Sequence, residues 1–296
     1  DSSTSRGLGD VYKRQQLRAP AKVNRFLHIV GQRPDGYHLL QTVFQLIDLE
    51  DHITLDCKAD GTIIRTNGPA NVKPEDDLVI RAAQLLKNVT KTPLGCSIHL
   101  QKNIPMGAGL GGGSSDAATV LWGLNELWNT RLTRQELMNL GVQLGADVPF
   151  FLLGQNAFAE GIGEILHPIE LPETTLLVIY PKVHIPTVDI FKSPNLTRNH
   201  PAVTMSDFTE SANLDQFGSN DCEKVVVQKY QEVAAALEWL NQKAPLSSPR
   251  MSGSGSSVFA ALEPNLAKIL LNQLPNQWIG FVVRGLHRHP SYNPSS

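Results

Sequence analysis

Apolar and polar positions alternate with a period of two through much of the first hundred residues, a pattern typical of strands with one buried face. This period predicts strands at 19–30, 42–49, 51–57, 62–66 and 97–101. One segment, 75–89, changes to a helical period, with Leu78, Ala82, Leu85 and Leu86 on one apolar face. The first third of the chain is therefore predicted to be mostly sheet, with one helix.

Helical periodicity continues after residue 116. Apolar residues recur at helical spacing from Ala117 to Trp128, and Thr133 with Glu136 forms a capping box that opens another helix, predicted to close at Gly145. Short strands are predicted at 150–153 and 156–160. The second half predicts strands at 176–181, 183–186, 258–262 and 278–284, and helices at 221–242 and 266–274. Clustered strands without regular βαβ alternation indicate an α+β fold with more than one sheet.

A glycine-rich stretch separates the strand at 97–101 from the next helix. Side-chain-free N–H groups at a helix start form an anion site, most often for phosphate. Ser114 or Ser115 is predicted to cap the helix, with Asp116 at the positive end of its dipole. The stretch reads Pro105-Met106-Gly107-Ala108-Gly109-Leu110-Gly111-Gly112-Gly113-Ser114-Ser115.

Three general interpretations of this stretch are open. A Walker loop requires Gly-Lys-Ser/Thr at its end, and no lysine follows these glycines. A dinucleotide fingerprint fits Gly107, Gly109 and Gly112 only poorly, since Pro105 interrupts the approach and the later acidic residue is missing. A flexible structural loop is the third interpretation, but so many glycines lose much chain entropy on folding. Phosphate binding is favoured.

Composition narrows the class of protein. The 296 residues are enough for about two domains, and the formal net charge of −2 lacks the basic footprint of a nucleic-acid-binding protein. Three scattered cysteines, Cys57, Cys96 and Cys222, fit a reducing cytoplasm better than a disulfide scaffold. The apolar runs are too short to span a bilayer. We expect a cytoplasmic protein with no membrane or nucleic-acid partner, as a monomer or weak homodimer.

The domain organisation follows from these patterns. Residues 1–15 show no apolar periodicity and are predicted to be a non-native or disordered tail. A first domain is predicted over 16–160 and a second over 161–286, where proline-punctuated strands begin. Residues 287–296 are predicted to be a mobile tail.

Three motifs together resemble the GHMP kinases, and the resemblance runs from about residue 20 to about residue 285. They are Pro20-Ala21-Lys22-Val23-Asn24, the glycine-rich stretch, and Met251-Ser252-Gly253-Ser254-Gly255-Ser256-Ser257. The resemblance implies a two-lobed fold with the active site in the cleft between the lobes, and ATP, with Mg²⁺, bound at residues 105–115. The triple glycine resembles the loop of those family members that phosphorylate a hydroxyl of a CDP-linked methylerythritol in isoprenoid biosynthesis.

The resemblance also implies roles for single residues. Gly145-Ala146-Asp147-Val148-Pro149 is similar to the segment that carries the catalytic aspartate, here Asp147, which lies just past a predicted helix end. Lys22 is implied as the cation that faces Asp147 across the cleft. No dedicated carboxylate ligand for Mg²⁺ can be chosen, so the metal is expected to arrive with ATP, held by phosphates and water.

Substrate contacts are implied at Asn24, Tyr37, His38, Thr187 and Phe191. Two aromatic rings would enclose the cytosine of a CDP-alcohol, and the histidine would bind the edge of the base. Two alternatives remain: a kinase of the same family that acts on homoserine or a mevalonate derivative, and a non-catalytic nucleotide-binding module. The aromatic pair disfavours the first alternative, and retention of both the lysine and the aspartate disfavours the second.

Overall fold

A long antiparallel hairpin, β1 (Arg14–Gln32) and β2 (His38–Lys58), is the framework of the first lobe. The structure is a computed structural model that describes residues 14–70 and 72–292. Strand β2 is central, because β1 pairs along its length while its other edge pairs with two further strands. The remaining strands of this sheet, in the order β3-β4-β2-β5-β6, are β3 (Ile63–Asn67), β4 (Gly95–Gln101), β5 (Ala157–Glu160) and β6 (Ile165–Pro168).

Four helices complete the first lobe: α1 (Leu78–Thr90), α2 (Gly112–Leu127), α3 (Arg134–Gly141) and α4 (Val148–Leu153). Helix α2 is buried along most of its length. The predicted capping box is confirmed at α3, where the Thr133 hydroxyl accepts from Glu136 N–H and the Glu136 carboxylate accepts from Thr133 N–H.

The second lobe is an antiparallel sheet with helices packed on it. Its strands, in the order β10-β7-β9-β8, are β7 (Thr175–Tyr180), β8 (Arg250–Met251), β9 (Val258–Ala261) and β10 (Ile279–Arg284). Its helices are α5 (Thr187–Phe191), α6 (Met205–Thr209), α7 (Glu223–Lys229), α8 (Gln231–Lys243) and α9 (Pro264–Asn272). The two sheets with segregated helices confirm the predicted α+β class.

A separate apolar cluster joins the lobes. Buried side chains of β1 and β2, including Ala21 and Ile47, meet Leu110 of the glycine stretch and the second-lobe residues Val178 and Phe259. Because the stretch lies within this cluster, packing between the lobes fixes its position. The predicted two-lobed arrangement with a cleft between the lobes is confirmed.

The strand predicted at 150–153 is wrong, because these residues form helix α4. A continuous apolar run carries no period, so it fits a buried helix as well as a strand. Pro149 lies at the start of the helix, where its missing N–H costs nothing, and Gly154 ends it with a φ of 73°.

Three other element predictions are corrected. The strands predicted at 42–49 and 51–57 are one strand, because a shift of register between Pro20 and Ala21 accommodates the irregular residues between them. Residues 183–186 form no strand, and Pro186 instead precedes α5. The single helix predicted at 221–242 is divided at Tyr230, whose backbone is extended.

The predicted domain boundaries stay a prediction, although β6 extends the first sheet past residue 160. Residues 1–13 and 293–296 lie outside the described residues, while Arg14 and Gln15 begin β1. The mobile tail predicted from residue 287 is wrong for the described part of it. The His289 side chain is only 2% exposed and the Tyr292 ring stacks on Trp122 of α2, so apolar burial holds this segment on the first lobe.

Candidate active site

The glycine stretch connects β4 to α2 in three left-handed steps. Gly107, Gly109 and Gly111 have φ values of 64°, 75° and 72°, a region that other residues rarely adopt. Gly111 takes the N-cap position of α2 without a side-chain cap. The predicted cap at Ser114 or Ser115 is therefore wrong: the helix begins earlier, and the Ser115 hydroxyl donates to the Pro20 carbonyl at 2.6 Å.

Asp116 also differs from its expected place at the helix start. It is buried in α2 and lies 2.7 Å from the ammonium of Lys102, which also contacts Asp51. Burial raises the pKa of Asp116, and Lys102 opposes that shift. Burial alone would lower the pKa of Lys102, but the attraction of the two carboxylates raises it overall. This charge cluster lies beside the glycine stretch.

Lys22 and Asp147 meet at the bottom of the cleft, with 3.5 Å between Nζ and Oδ2. The lysine side chain is 4% exposed and the aspartate side chain 31% exposed. Lys22 also donates to the Asn24 amide oxygen and lies 5.3 Å from the centre of the Phe44 ring. The lysine is therefore held by the protein, whereas the carboxylate faces the opening.

Asp147 was expected just past a helix end, but it stands at the N-cap position of α4. Helix α3 ends at Gly141, and a turn intervenes. A carboxylate at a helix N-terminus has the favourable sign with the helix dipole. The expected position just past a helix end is therefore wrong, because the apolar run after Asp147 is helical.

The cleft between the lobes has a volume of about 560 Å³. The glycine–serine loop of residues 252–257 covers one side of it. Ser252 Oγ donates to the Gly109 carbonyl at 2.9 Å, and Ser257 N–H donates to the Ala108 carbonyl at 2.9 Å. These hydrogen bonds join the glycine stretch and the loop at 252–257 along one side of the cleft.

A second cavity of about 840 Å³ adjoins the cleft and shares Thr187 and Phe191 with it. We call it the aromatic cavity. Tyr37, 60% exposed, and His38 line it from the β1–β2 turn. The His38 and Phe191 rings lie 5.1 Å apart at 46°. The two aromatic rings predicted to enclose a base, Tyr37 and Phe191, therefore line one cavity, and His38 lies close to Phe191.

Most of the predicted site residues line one of these two cavities. Lining the cleft are Lys22, Asn24, Pro105, Met106, Gly107, Ala108, Gly109, Gly111, Gly112, Gly113, Ser114, Asp147, Thr187 and Phe191. Leu110 and Ser115 are buried beneath the loop instead. The Asn24 amide donates to Thr42 Oγ1 at 2.9 Å and accepts from Lys22, so both of its ends have protein partners.

Sequence reasoning missed several lining residues. His184 lines the cleft, and Arg198 lines the aromatic cavity. Lys102, two residues before the glycine stretch, lines the cleft as well. A charged residue so close to the glycine stretch was the one available signal, whereas Arg198 lies in a polar segment without periodicity.

Asp147 is the one carboxylate among the described residues that line the cleft. Across residues 14–70 and 72–292, no group of three or more His, Cys, Asp or Glu side chains is placed to hold a metal ion. None of the helices described is long and apolar enough to span a bilayer.

Two family models match the chain. The model described as the GHMP kinases N terminal domain matches residues 77–155, and the model of the GHMP kinases C terminal matches residues 202–280. The first match contains the glycine stretch and Asp147, and the second contains the loop at 252–257. Lys22 precedes both matches and lines the same cleft.

Relatives named 4-diphosphocytidyl-2-C-methyl-D-erythritol kinase align along nearly the whole chain. The protein of Polynucleobacter asymbioticus is 56% identical over 94% of this chain and 95% of its own length. The protein of Ralstonia nicotianae is 53% identical over 92% of this chain and 94% of its own length.

Solved structures give the same result. A crystal structure of 4-(cytidine 5'-diphospho)-2C-methyl-D-erythritol kinase has a TM-score of 0.79 at 33% identity, covering 92% of this chain and all of the other. Mevalonate kinase of Methanococcus jannaschii shares the fold, with a TM-score of 0.66 at 15% identity over 93% of this chain and 99% of its own. The chain belongs to the GHMP kinase family.

Proposed function

We propose that this chain transfers the γ-phosphoryl group of ATP to the 2-hydroxyl of 4-diphosphocytidyl-2-C-methyl-D-erythritol. The products are the 2-phosphate and ADP, and the reaction is a step of the non-mevalonate pathway to isoprenoid precursors. One observation carries the proposal: a cleft with a phosphate loop and a lysine–aspartate pair opens into a cavity lined by aromatic rings. Such a pair of cavities fits an acceptor that is itself a nucleotide derivative.

The first turn of α2 supplies the phosphate site. Its leading N–H groups, at Gly112, Gly113 and Ser114, have no partner within the helix. These three residues line the cleft. The positive end of the helix dipole favours the ATP phosphates there. Magnesium would arrive with ATP and neutralise charge on the phosphates, held mainly by phosphate oxygens and water.

Asp147 is the proposed base. Its exposed carboxylate accepts the proton of the acceptor hydroxyl, or orients that hydroxyl, as the phosphoryl group is transferred. Lys22 offsets the negative charge that builds up on the transferring group, and Asn24 and Phe44 hold its ammonium in place. Asn24 acts on the substrate through Lys22, because its own amide is occupied.

Tyr37 and Phe191 are proposed to stack on the cytosine, with His38 at the edge of the base and Thr187 near the diphosphate. The Thr187 hydroxyl hydrogen-bonds Ser254 at 2.8 Å, which links this end of the substrate to the second loop. A small alcohol such as homoserine or mevalonate would leave the aromatic cavity empty, so it is the weaker candidate. We also propose a cytoplasmic protein that uses no nucleic-acid partner.

The test is an ATP-consumption assay on the CDP-linked methylerythritol, mevalonate and homoserine. We expect turnover with the CDP-linked alcohol, and preferred turnover of either other alcohol would overturn the proposal. Tyr37→Ala removes an exposed ring without opening the core. It should raise KM for the CDP-alcohol about 5- to 150-fold, the cost of a lost base–aromatic stack, and leave KM for ATP unchanged.

Met106→Ala is the matched control. Met106 is 48% exposed and lines the cleft but not the aromatic cavity. It should affect ATP more than the CDP-alcohol. If Tyr37→Ala weakens ATP while the CDP-alcohol is unaffected, the assignment of the two cavities is wrong.

A further inference from the structure

Arg198 lines the aromatic cavity, and its guanidinium makes four hydrogen bonds to other residues of the protein. Its Nη2 donates to the carbonyls of Phe191 at 3.0 Å and Ser193 at 2.8 Å, and its Nη1 donates to the carbonyl of Leu196 at 3.1 Å. These three bonds hold the planar group in one orientation. Its Nε–H donates to Nε2 of His38 at 3.0 Å.

This contact determines which nitrogen of His38 carries the proton. An arginine is always charged and can only donate, so Nε2 must offer a lone pair to it. The imidazole is then neutral with its proton on Nδ1. Burial and then the charge of Arg198 lower the pKa of His38, which keeps the ring neutral.

Other charges near the ring are few. Among the described residues that line the aromatic cavity, Asp35, Lys192 and Arg198 are the charged ones. Asp35 is paired with Arg33 at 2.6 Å on the outer surface. Within the described chain, no protein hydrogen bond occupies Nδ1 of His38, so this nitrogen is available to a ligand.

We propose that Arg198 is a positioning residue that holds His38 as an obligate Nδ1–H donor toward N3 of the pyrimidine. The inference rests on the proposed function, which puts a cytosine in this cavity. N3 of cytosine is an acceptor, whereas N3 of uracil carries a hydrogen. A fixed donor opposite N3 therefore selects cytosine over uracil, a choice that stacking alone cannot make because every base has a π-face.

The first arm of the test needs no substrate. Nitrogen-15 NMR of the imidazole rings identifies the protonated nitrogen, and His38→Gln assigns the His38 signals by difference. We expect wild-type His38 to be protonated at Nδ1 and unprotonated at Nε2 at pH 8. A wild-type ring protonated at Nε2 would overturn the proposal without any variant of Arg198.

Arg198→Met tests the cause. Without the donor, His38 should shift toward the Nε2–H tautomer and take up a proton at higher pH than in wild type. Lys192→Met is the matched control, since it removes a cation of the same cavity that makes no contact with the ring. An unchanged tautomer in Arg198→Met, or an equal change in Lys192→Met, would refute the role of Arg198.

The second arm measures specificity. Arg198→Met should raise KM for the CDP-alcohol at least tenfold, leave KM for ATP within twofold, and reduce the preference for the CDP-alcohol over its UDP analogue. A loss of affinity with the preference intact would mean that Arg198 only braces the cavity. If neither compound is a substrate of wild type while the tautomer is as expected, the proposed function fails and the positioning of His38 stands.

Discussion

The two residues of the lysine–aspartate pair differ in how far each side chain is exposed. Lys22 lies on β1 with its ammonium against Asn24 and Phe44, while Asp147 stands at the N-cap position of the short helix α4 and lines the cleft. Only the carboxylate retains substantial exposure. The proposed base can therefore meet a substrate hydroxyl, whereas the cation stays where the geometry of the strand puts it.

Asp147→Asn is expected to fold normally, bind ATP and lose at least about 10²-fold in kcat, because an amide cannot accept the proton. The measurement is steady-state kinetics beside a thermal unfolding curve. Asp189→Asn, in the first turn of α5 and exposed, is the control and should keep wild-type turnover. Turnover of Asp147→Asn within a few-fold of wild type would remove this residue from the chemistry.

At the scale of elements, the glycine stretch and the loop at 252–257 are packed too closely for a side chain between them. A Cβ on Gly109 would lie 2.3 Å from the Ser252 carbonyl oxygen and 2.8 Å from that of Gly255. At Gly113, which is inside α2, the nearest atom to a Cβ would be Leu78 Cδ1 at 3.4 Å. Gly109 therefore allows the two loops to approach closely, whereas the position of Gly113 has room for a methyl group.

Gly109→Ala is expected to lower the melting temperature by several degrees, since backbone must move and the left-handed φ is strained. Gly113→Ala should melt at or slightly above the wild-type temperature, because alanine is favoured over glycine in a helix by about 1 kcal/mol. Differential scanning calorimetry of both variants measures this contrast. Equal melting temperatures would show that the two loops are not closely packed at Gly109.

At the scale of the whole molecule, β1 carries a histidine into the junction of the lobes. The His28 ring stacks on His200 with 3.5 Å between centroids, and its Nε2 accepts from Ser219 N–H at 3.2 Å. Burial, followed by the charge of His200, lowers the pKa of His28 to about 4. Protonation of His28 would therefore place a positive charge at the contact between β1 and the second lobe.

The sign of the pH effect follows from this lowered pKa. Below about pH 6.5 the unfolded chain binds a proton at His28 that the folded chain refuses until about pH 4. The free energy of unfolding should therefore fall as the pH drops through that window. Urea unfolding at pH 7.5 and pH 5 should show a smaller fall for His28→Phe than for wild type. Exposed His99→Phe should keep the wild-type fall, and an undiminished fall in His28→Phe would contradict the assignment.

Local signals determined what the sequence could predict by itself. The capping box at Thr133, the periods of the long strands and the glycine stretch depend on residues within a few positions of one another. They predicted the α+β class, which the structure confirms, and a phosphate-binding role for the glycine stretch, which stays a prediction. The resemblance to the GHMP kinases then pointed to Lys22 and Asp147, which the fold brings within 3.5 Å.

Tertiary structure alone decided the rest, for a physical reason. An apolar run such as 150–153 has no period, so burial on all sides and Pro149 made it a helix. Partners far apart in the chain are set by the path of the backbone. Arg198 reaches His38 across 160 positions and Ser252 reaches Gly109 across 143. Neither contact leaves a local trace, because a polar loop residue looks the same in sequence whether it is solvated or directs a ring.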